Sequence, residues 1–245
     1  MKVLDERSGT AVDVRDRLAV ALDVPDVRLA LDLVDRLGDS CRWVKVGMEL
    51  YYAAGNSLLD ELRSRGYRIF LDLKLHDIPN TVAGGVQSVA KSGAELLTVH
   101  ASGGGAMLTA AAEAAKTPGA PRLLAVTVLT SMDAAELSAV GVCSSPAEQV
   151  LQLARLATRA GINGMVCSAE EVAALRAELG PEAMLVVPGI RPAGNESNDQ
   201  RRVATPAEAI ARGASMLVVG RPITRAEDPA DAARAVLREI ESAFA

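Results

Sequence analysis

Eight short runs rich in Val, Ile and Leu alternate along the chain with longer stretches in which apolar residues return every three or four positions. The runs are RLAVALDV (17–24), WVKVGMEL (43–50), YRIFLDLKL (67–75), ELLTVHA (95–101), RLLAVTVLT (122–130), GMVCSA (164–169), AMLVVPGI (183–190) and SMLVVGRP (215–222). Their length and β-branched content suit strands. The stretches between them include VRLALDLVDRL (27–37), NSLLDELRSRG (56–66), AEQVLQLARLATRAG (147–161) and PAEAIARG (206–213). They have helical spacing, and several end at Gly, where helices commonly stop. A strand-then-helix repeat requires parallel strands, and near-continuous apolar strands fit a sheet covered on both faces. Eight such units predict an α/β fold, a (β/α)8 TIM barrel in a single domain. A doubly wound sheet is the alternative, weakened because no GxGxxG follows the first strand. The expected division is an N-terminal extension of residues 1–16 and a catalytic barrel of residues 17–245.

The segment FLDLKLHDIPNT (70–81) breaks this apolar pattern with Asp72, Lys74 and Asp77. Side chains alternate across a strand, so Ile69, Leu71, Leu73 and Leu75 share one face while Phe70, Asp72 and Lys74 share the other. If the leucines face the helices, the charges face the barrel interior near its C-terminal mouth, where barrel enzymes build their sites. The same alternation turns Asp23 inward at the end of the first run and Lys45 inward on the second. Asp23, Lys45, Asp72 and Lys74 are therefore expected to form an array of alternating charge, with Asp77 just beyond it in the loop. Buried charges normally pair, and such an array satisfies that need internally. It reads either as a catalytic constellation or as an ion-pair network that only seals the barrel end.

The last run ends LVVGRP, placing Gly220 and Arg221 where the final loops of many barrels grip a phosphate. Gly permits close approach of the backbone, and Arg supplies a fork of donors. After the seventh run comes PGIRPAGNESNDQRRVATP (188–206), a polar loop whose length and composition suggest a mobile lid, with Arg191 and Gln200 at opposite ends.

Composition narrows the classes. Of the 245 residues, 49% are hydrophobic and 23% charged, the net charge is -5, and the aromatics are one Trp, three Tyr and two Phe. An acidic balance with few stacking rings argues against nucleic acid. The first residues carry charge where a signal peptide needs an apolar run, and no apolar run approaches the roughly 20 residues of a membrane helix, so a cytoplasmic protein without membrane contact is expected. Cys41, Cys143 and Cys167 lack CxxC spacing, and His76 and His100 stand far apart in sequence. No metal site is therefore expected, and the cysteines read as reduced thiols, mostly buried. His76 and His100 have no assigned role.

DLKLHDIPNT resembles the DxKxxDIPNT signature of the orotidine 5'-phosphate decarboxylase family. VALD, VKVG, VHASGG, VLTSM, PGIRPxGxxxxDQxR and VVGRPI follow that family's order, from about Ala19 to Ile223. DxKxxD alone is shared with other members of the wider superfamily, including 3-keto-L-gulonate 6-phosphate decarboxylase. The resemblance implies decarboxylation of orotidine 5'-monophosphate without cofactor or metal. It implies that Asp72 lies beside the substrate carboxylate and that Lys74 protonates C6, with Lys45 and Asp77 completing the charged array. Asp23 and Lys45 would hold the ribose hydroxyls with Thr81 nearby. Thr130 or Ser131, together with Gln200, would contact the base and close the lid, while Gly220, Arg221 and Arg191 would bind the phosphate region. It also implies a homodimer in which Asp77, Ile78 and Thr81 reach the partner's site. The alternatives are a magnesium-dependent sugar-phosphate decarboxylase or aldolase on the same barrel and a noncatalytic phosphate-ligand sensor.

Overall fold

The computed structural model describes residues 2–5, 10–192 and 204–244. Two short strands, β1 (Lys2–Asp5) and β2 (Thr10–Asp13), pair antiparallel as a hairpin. Eight strands then follow in the predicted order: β3 (Leu18–Ala21), β4 (Trp43–Gly47), β5 (Arg68–Leu75), β6 (Leu96–His100), β7 (Arg122–Val126), β8 (Gly164–Val166), β9 (Met184–Val187) and β10 (Met216–Val219). They are parallel and close on themselves, with β10 bonded to both β3 and β9. The (β/α)8 barrel expected from the alternation is the fold observed.

Alternation along the strands separates two apolar layers. Leu18, Val20, Val44, Val46, Ile69, Leu71, Leu97 and Val99 face outward into the core shared with the helices. Ala19, Ala21, Trp43, Phe70, Leu96, Leu124, Val186, Met216 and Val218 face inward and fill the barrel itself. The interior is thus a packed plug, and any ligand space must lie above it, at the strands' C-terminal ends.

The helices follow the amphipathic segments closely. Val27–Leu37 is capped by Asp26, whose side chain accepts from the Leu29 N–H. Pro146–Arg159 and Pro206–Ala211 each open on a reciprocal capping box, Ser145 with Glu148 and Thr205 with Glu208. Beyond their C-termini, Gly161 and Gly213 take φ values of 94° and 108°, which favour glycine.

Two expectations about boundaries change. Several apolar runs outlast their strands: Thr127–Thr130 and Pro188–Ile190 leave the ladder, yet Val128 and Ile190 remain buried. Loops folding back over the barrel end bury these residues as well as a sheet would. The hairpin of β1 and β2 was not expected, because four-residue strands are too short to establish a period. Its Val3 packs against the outer core, and the following 3-10 turn, Val14–Arg17, buries Val14 and lets Arg17 Nη1 donate to the Ser215 carbonyl at 2.9 Å. Among the described residues, no helix is long and apolar enough to cross a membrane.

Candidate active site

Four charges stand in sequence across three neighbouring strands at the C-terminal mouth. Asp23 follows β3, Lys45 projects from β4, and Asp72 and Lys74 project from β5. Lys45 Nζ donates to Asp23 Oδ1 at 2.9 Å and lies 3.5 Å from Asp72 Oδ2. The other Asp72 oxygen, Oδ1, is 2.9 Å from Lys74 Nζ. One carboxylate therefore sits between two ammonium groups, each facing a different oxygen, and the inward array of alternating charge is as expected.

Burial of Asp72 pushes its carboxyl pKa up, but Lys45 and Lys74, with hydrogen bonds from Lys74 and Thr98, more than offset this and hold it below the usual value. Lys45 and Asp72 are mostly enclosed, whereas the Asp23 side chain remains 61% exposed and open to a ligand at the mouth. Gly47 keeps the Lys45–Asp23 pair intact, because a Cβ there would lie 3.1 Å from Lys45 Nζ and 3.3 Å from Asp23 Oδ1.

Beside this row lies a cavity of about 220 Å³. Lys45, Asp72 and Lys74 form its charged side. Phe70, Val126, Val166 and Val218 line its apolar part, and Thr130 and Ser131 supply hydroxyl groups from the loop after β7. Pro188 and the buried Cys167 also line it. An ammonium that is paired yet borders empty apolar space can stabilise negative charge developing on a molecule placed there, because little water competes for it.

The remaining candidates occupy several positions. Gly220 follows β10 against β3: a Cβ there would sit 3.6 Å from Ala21 Cβ and 3.8 Å from Asp23 Oδ2, so it belongs to the same mouth. Arg221 opens the short helix Arg221–Thr224. Arg191 is buried; its N–H donates to the Ala204 carbonyl at 3.0 Å, and Ile190 and Ala204 form a bridge that brings the two ends of the 188–206 loop together. Gln200 lies outside the described residues.

Asp77, Ile78 and Thr81 are exposed and do not line the cavity of their own chain. Asp77 Oδ1 accepts from the Ile78 N–H at 2.6 Å, and Ile78 is 66% exposed at the start of helix Pro79–Val89. Within one chain the ion pairs join Asp23, Lys45, Asp72 and Lys74, and Asp77 lies in the loop beyond β5.

Residue-by-residue reading passed over Thr98 and Gly47. Thr98 is fully buried on β6 between Asp72 and the Lys74 backbone. An inward hydroxyl in an otherwise apolar strand was the available signal. His76 and His100 lie with ring centroids 5.2 Å apart, and burial, then His76 and Lys74, lower the His100 pKa. Cys41 and Cys167 are buried and Cys143 is exposed; burial pushes the Cys41 thiol up to about 12. Among the described residues, no group of three or more His, Cys, Asp or Glu is placed to hold a metal ion.

A parallel barrel with a buried carboxylate flanked by ammonium groups, bordering an apolar cavity at the catalytic mouth, defines a barrel enzyme that handles charge electrostatically. The model of the orotidine 5'-phosphate decarboxylase / HUMPS family matches residues 16–236, and the chain belongs to that family. Among its relatives is the orotidine 5'-phosphate decarboxylase of Nitrosococcus oceani, 52% identical over 229 residues, covering 93% of this chain and 99% of the relative. The protein of that name from Afipia carboxidovorans is 54% identical over 231 residues, covering 94% and 97%. The crystal structure of orotidine 5'-phosphate decarboxylase from Lactobacillus acidophilus superposes with a TM-score of 0.82 at 41% identity, covering 92% of this chain and 99% of that one.

Proposed function

We propose that this chain decarboxylates orotidine 5'-monophosphate to UMP in pyrimidine nucleotide synthesis, without a cofactor, and that Lys74 protonates C6. The observation that carries the reading is Asp72 held between Lys45 and Lys74 at the edge of the cavity, with Lys74 Nζ 2.9 Å from Asp72 Oδ1. The relatives that share about half of its sequence bear the decarboxylase name.

The chemistry asks for this arrangement. The bond between C6 and the carboxylate breaks, carbon dioxide leaves, and the electron pair stays on C6, where no neighbouring carbonyl or imine delocalises it as an ordinary electron sink would. A preorganised cation in a water-poor pocket is the strongest stabiliser a protein can offer such a charge. The Lys74 ammonium offsets the developing carbanion and then gives C6 a proton, and water restores the lysine. Asp72 positions that ammonium and keeps it charged. Crowding of the substrate carboxylate by Asp72 is a subsidiary contribution.

The remaining groups bind the nucleotide. Asp23 and Lys45 take the ribose hydroxyls, Thr130 or Ser131 contacts the base, and Gly220, Arg221 and Arg191 hold the phosphate, with Gln200 closing the loop over it. Phosphate binding drives closure and so lowers the barrier as well as KM. Asp77, Ile78 and Thr81 serve the site of a second copy in a homodimer; their exposure, with a 66% exposed Ile78 among them, supports this. Residues 1–16 are an extension to the catalytic barrel of 17–245, a division supported by the family match beginning at residue 16. The protein acts in the cytoplasm.

A direct absorbance assay tests the reading. Orotidine 5'-monophosphate is expected to convert to UMP at a rate unaffected by a chelator. Chelator-sensitive turnover of a sugar phosphate instead would favour the magnesium-dependent alternative, and binding without turnover would favour a sensor.

A further inference from the structure

The ladder between β5 and β6 is interrupted at the reacting residues. Leu71 pairs with Leu97 and Leu75 with Val99, so β5 runs through four residue steps while β6 runs through two. Asp72, Leu73 and Lys74 form the bulge. Within it, Lys74 takes φ of 51°, the one positive value at a non-glycine among the described residues. A left-handed backbone at a long side chain persists only where its surroundings hold it.

What holds it is a side chain from the facing strand. Thr98 Oγ1 accepts from the Lys74 N–H at 2.8 Å, and its own hydroxyl hydrogen goes to Asp72 Oδ1 at 2.9 Å. That same Oδ1 faces Lys74 Nζ. A hydroxyl has one hydrogen, so accepting from the lysine backbone leaves that hydrogen for the carboxylate. The result is a closed circuit from the Lys74 backbone through Thr98 and Asp72 to the Lys74 ammonium. Thr98 is fully buried, so water does not compete for either bond.

We propose that Thr98 is a positioning residue for the reaction: one hydroxyl fixes the bulged backbone of Lys74 and orients the carboxylate that aims its ammonium. It touches no reacting atom in this account. The proposal rests on the decarboxylase reading, and turnover by the native protein tests that reading separately, since the Thr98 comparison concerns only the ratios among variants.

The test compares Thr98→Ser, which keeps the hydroxyl, with Thr98→Ala and Thr98→Val, which lose it. For Ala and Val, kcat is expected to fall on the order of 10- to 100-fold, the scale of misplacing a catalytic group by a fraction of an ångström to an ångström. KM and the dissociation constant for UMP should stay within about threefold, because uniform binding is untouched. Thr98→Ser should keep kcat within about threefold of native on the same argument. Loss of the Thr98 hydrogen bond should also raise the Asp72 pKa, moving the acid limb of the kcat profile to higher pH in Ala but not in Ser. Equal kcat in Ser and Ala overturns the proposal. So does a fall in kcat matched by KM and UMP affinity, with a lowered thermal midpoint, in all three variants. If Ala and Val fail to fold, the Ser variant decides: more than about a tenfold loss of kcat there overturns the proposal, and native kcat sustains it.

Discussion

The two ends of the barrel both carry charge networks, and they differ in what the charges face. At the N-terminal end, Arg68 lies 4.1 Å above the Trp43 ring and pairs with Glu95 and Asp16, while Arg42 bridges Asp13 and Asp16. The side chains of Arg42, Arg68 and Glu95 are 41% to 44% exposed. At the C-terminal end, the Lys45 and Lys74 side chains are 10% and 28% exposed and face a cavity, so the two networks differ in their cations; their carboxylates overlap, Asp13 being 9% and Asp72 13% exposed. The lower network uses planar guanidinium forks that are suited to fixed, multidentate pairing. The upper one uses point-charge ammonium groups, one of them on a strained backbone. Paired charge alone does not mark a site; a desolvated cation bordering open space does.

Three experiments probe the upper end of the barrel, from the largest effect down. Lys74→Ala is expected to lower kcat by about 10⁴-fold or more, combining lost proton transfer with lost charge stabilisation. UMP binding, read by calorimetry, should survive. Near-native turnover would remove Lys74 from the chemistry and make the upper network a seal like the lower one. Arg221→Ala is expected to weaken phosphorylated ligands by about 2 to 5 kcal/mol, as when one partner of a buried charge pair is truncated. Unphosphorylated nucleosides should bind it as they bind the native protein, and equal binding of both classes by the native protein would sink the phosphate assignment.

The third experiment uses pH. The two ammonium groups and the hydrogen bonds to Asp72 depress its pKa in the fold, so its ionised form stabilises the native state above the unfolded carboxyl value, about 4. That contribution is lost as pH falls through the lower, folded value. Asp72→Asn leaves Lys45 and Lys74 without their shared carboxylate and should cost about 3 kcal/mol at pH 7, the scale of breaking a buried pair. Denaturant unfolding of both proteins should show a constant gap above about pH 5 that narrows below about pH 4. A gap that widens in acid would mean that Asp72 is protonated in the native state.

Much of this contrast could be read from the chain because facing is a local property. Period-two alternation placed Asp23, Lys45, Asp72 and Lys74 on the inner face, and the structure brings them together. The bulge in β5 did not disturb the reading because it adds two residues relative to β6, an even number, so Leu75 faces outward as Leu71 does. Nothing in the sequence announced the bulge itself, since it depends on a hydroxyl supplied from β6. Strand ends were overextended because loop burial of Val128 and Ile190 imitates sheet burial. Asp77 lies past the end of β5, where its orientation follows the path of the loop, which alternation does not govern. The hairpin was not legible because its strands are short, and Asp13 at the end of β2 is tied to the foot of the barrel by Arg42, a contact distant in sequence.

The smallest expected effect lies at the lower end and tests the other half of the contrast. Glu95 accepts from Arg68 Nε at 3.0 Å through both oxygens and from Nη2 at 2.5 Å. Short distances alone would suggest a strong interaction. Both side chains are more than 40% exposed, however, so solvent screens the attraction, and each must give up rotamer freedom to hold the geometry. Glu95→Gln keeps the shape and one acceptor oxygen. It should therefore cost less than about 1 kcal/mol in denaturant unfolding, with the difference shrinking further as salt is raised. Because Glu95 precedes β6 at the end of the barrel opposite the cavity, kcat should equal that of the native protein. A larger loss of stability would mean that stacking of Arg68 on Trp43 depends on Glu95 to hold the guanidinium in place. A fall in kcat would break the contrast itself, because it would show that the foot of the barrel transmits its geometry along β5 and β6 to the bulge at Lys74.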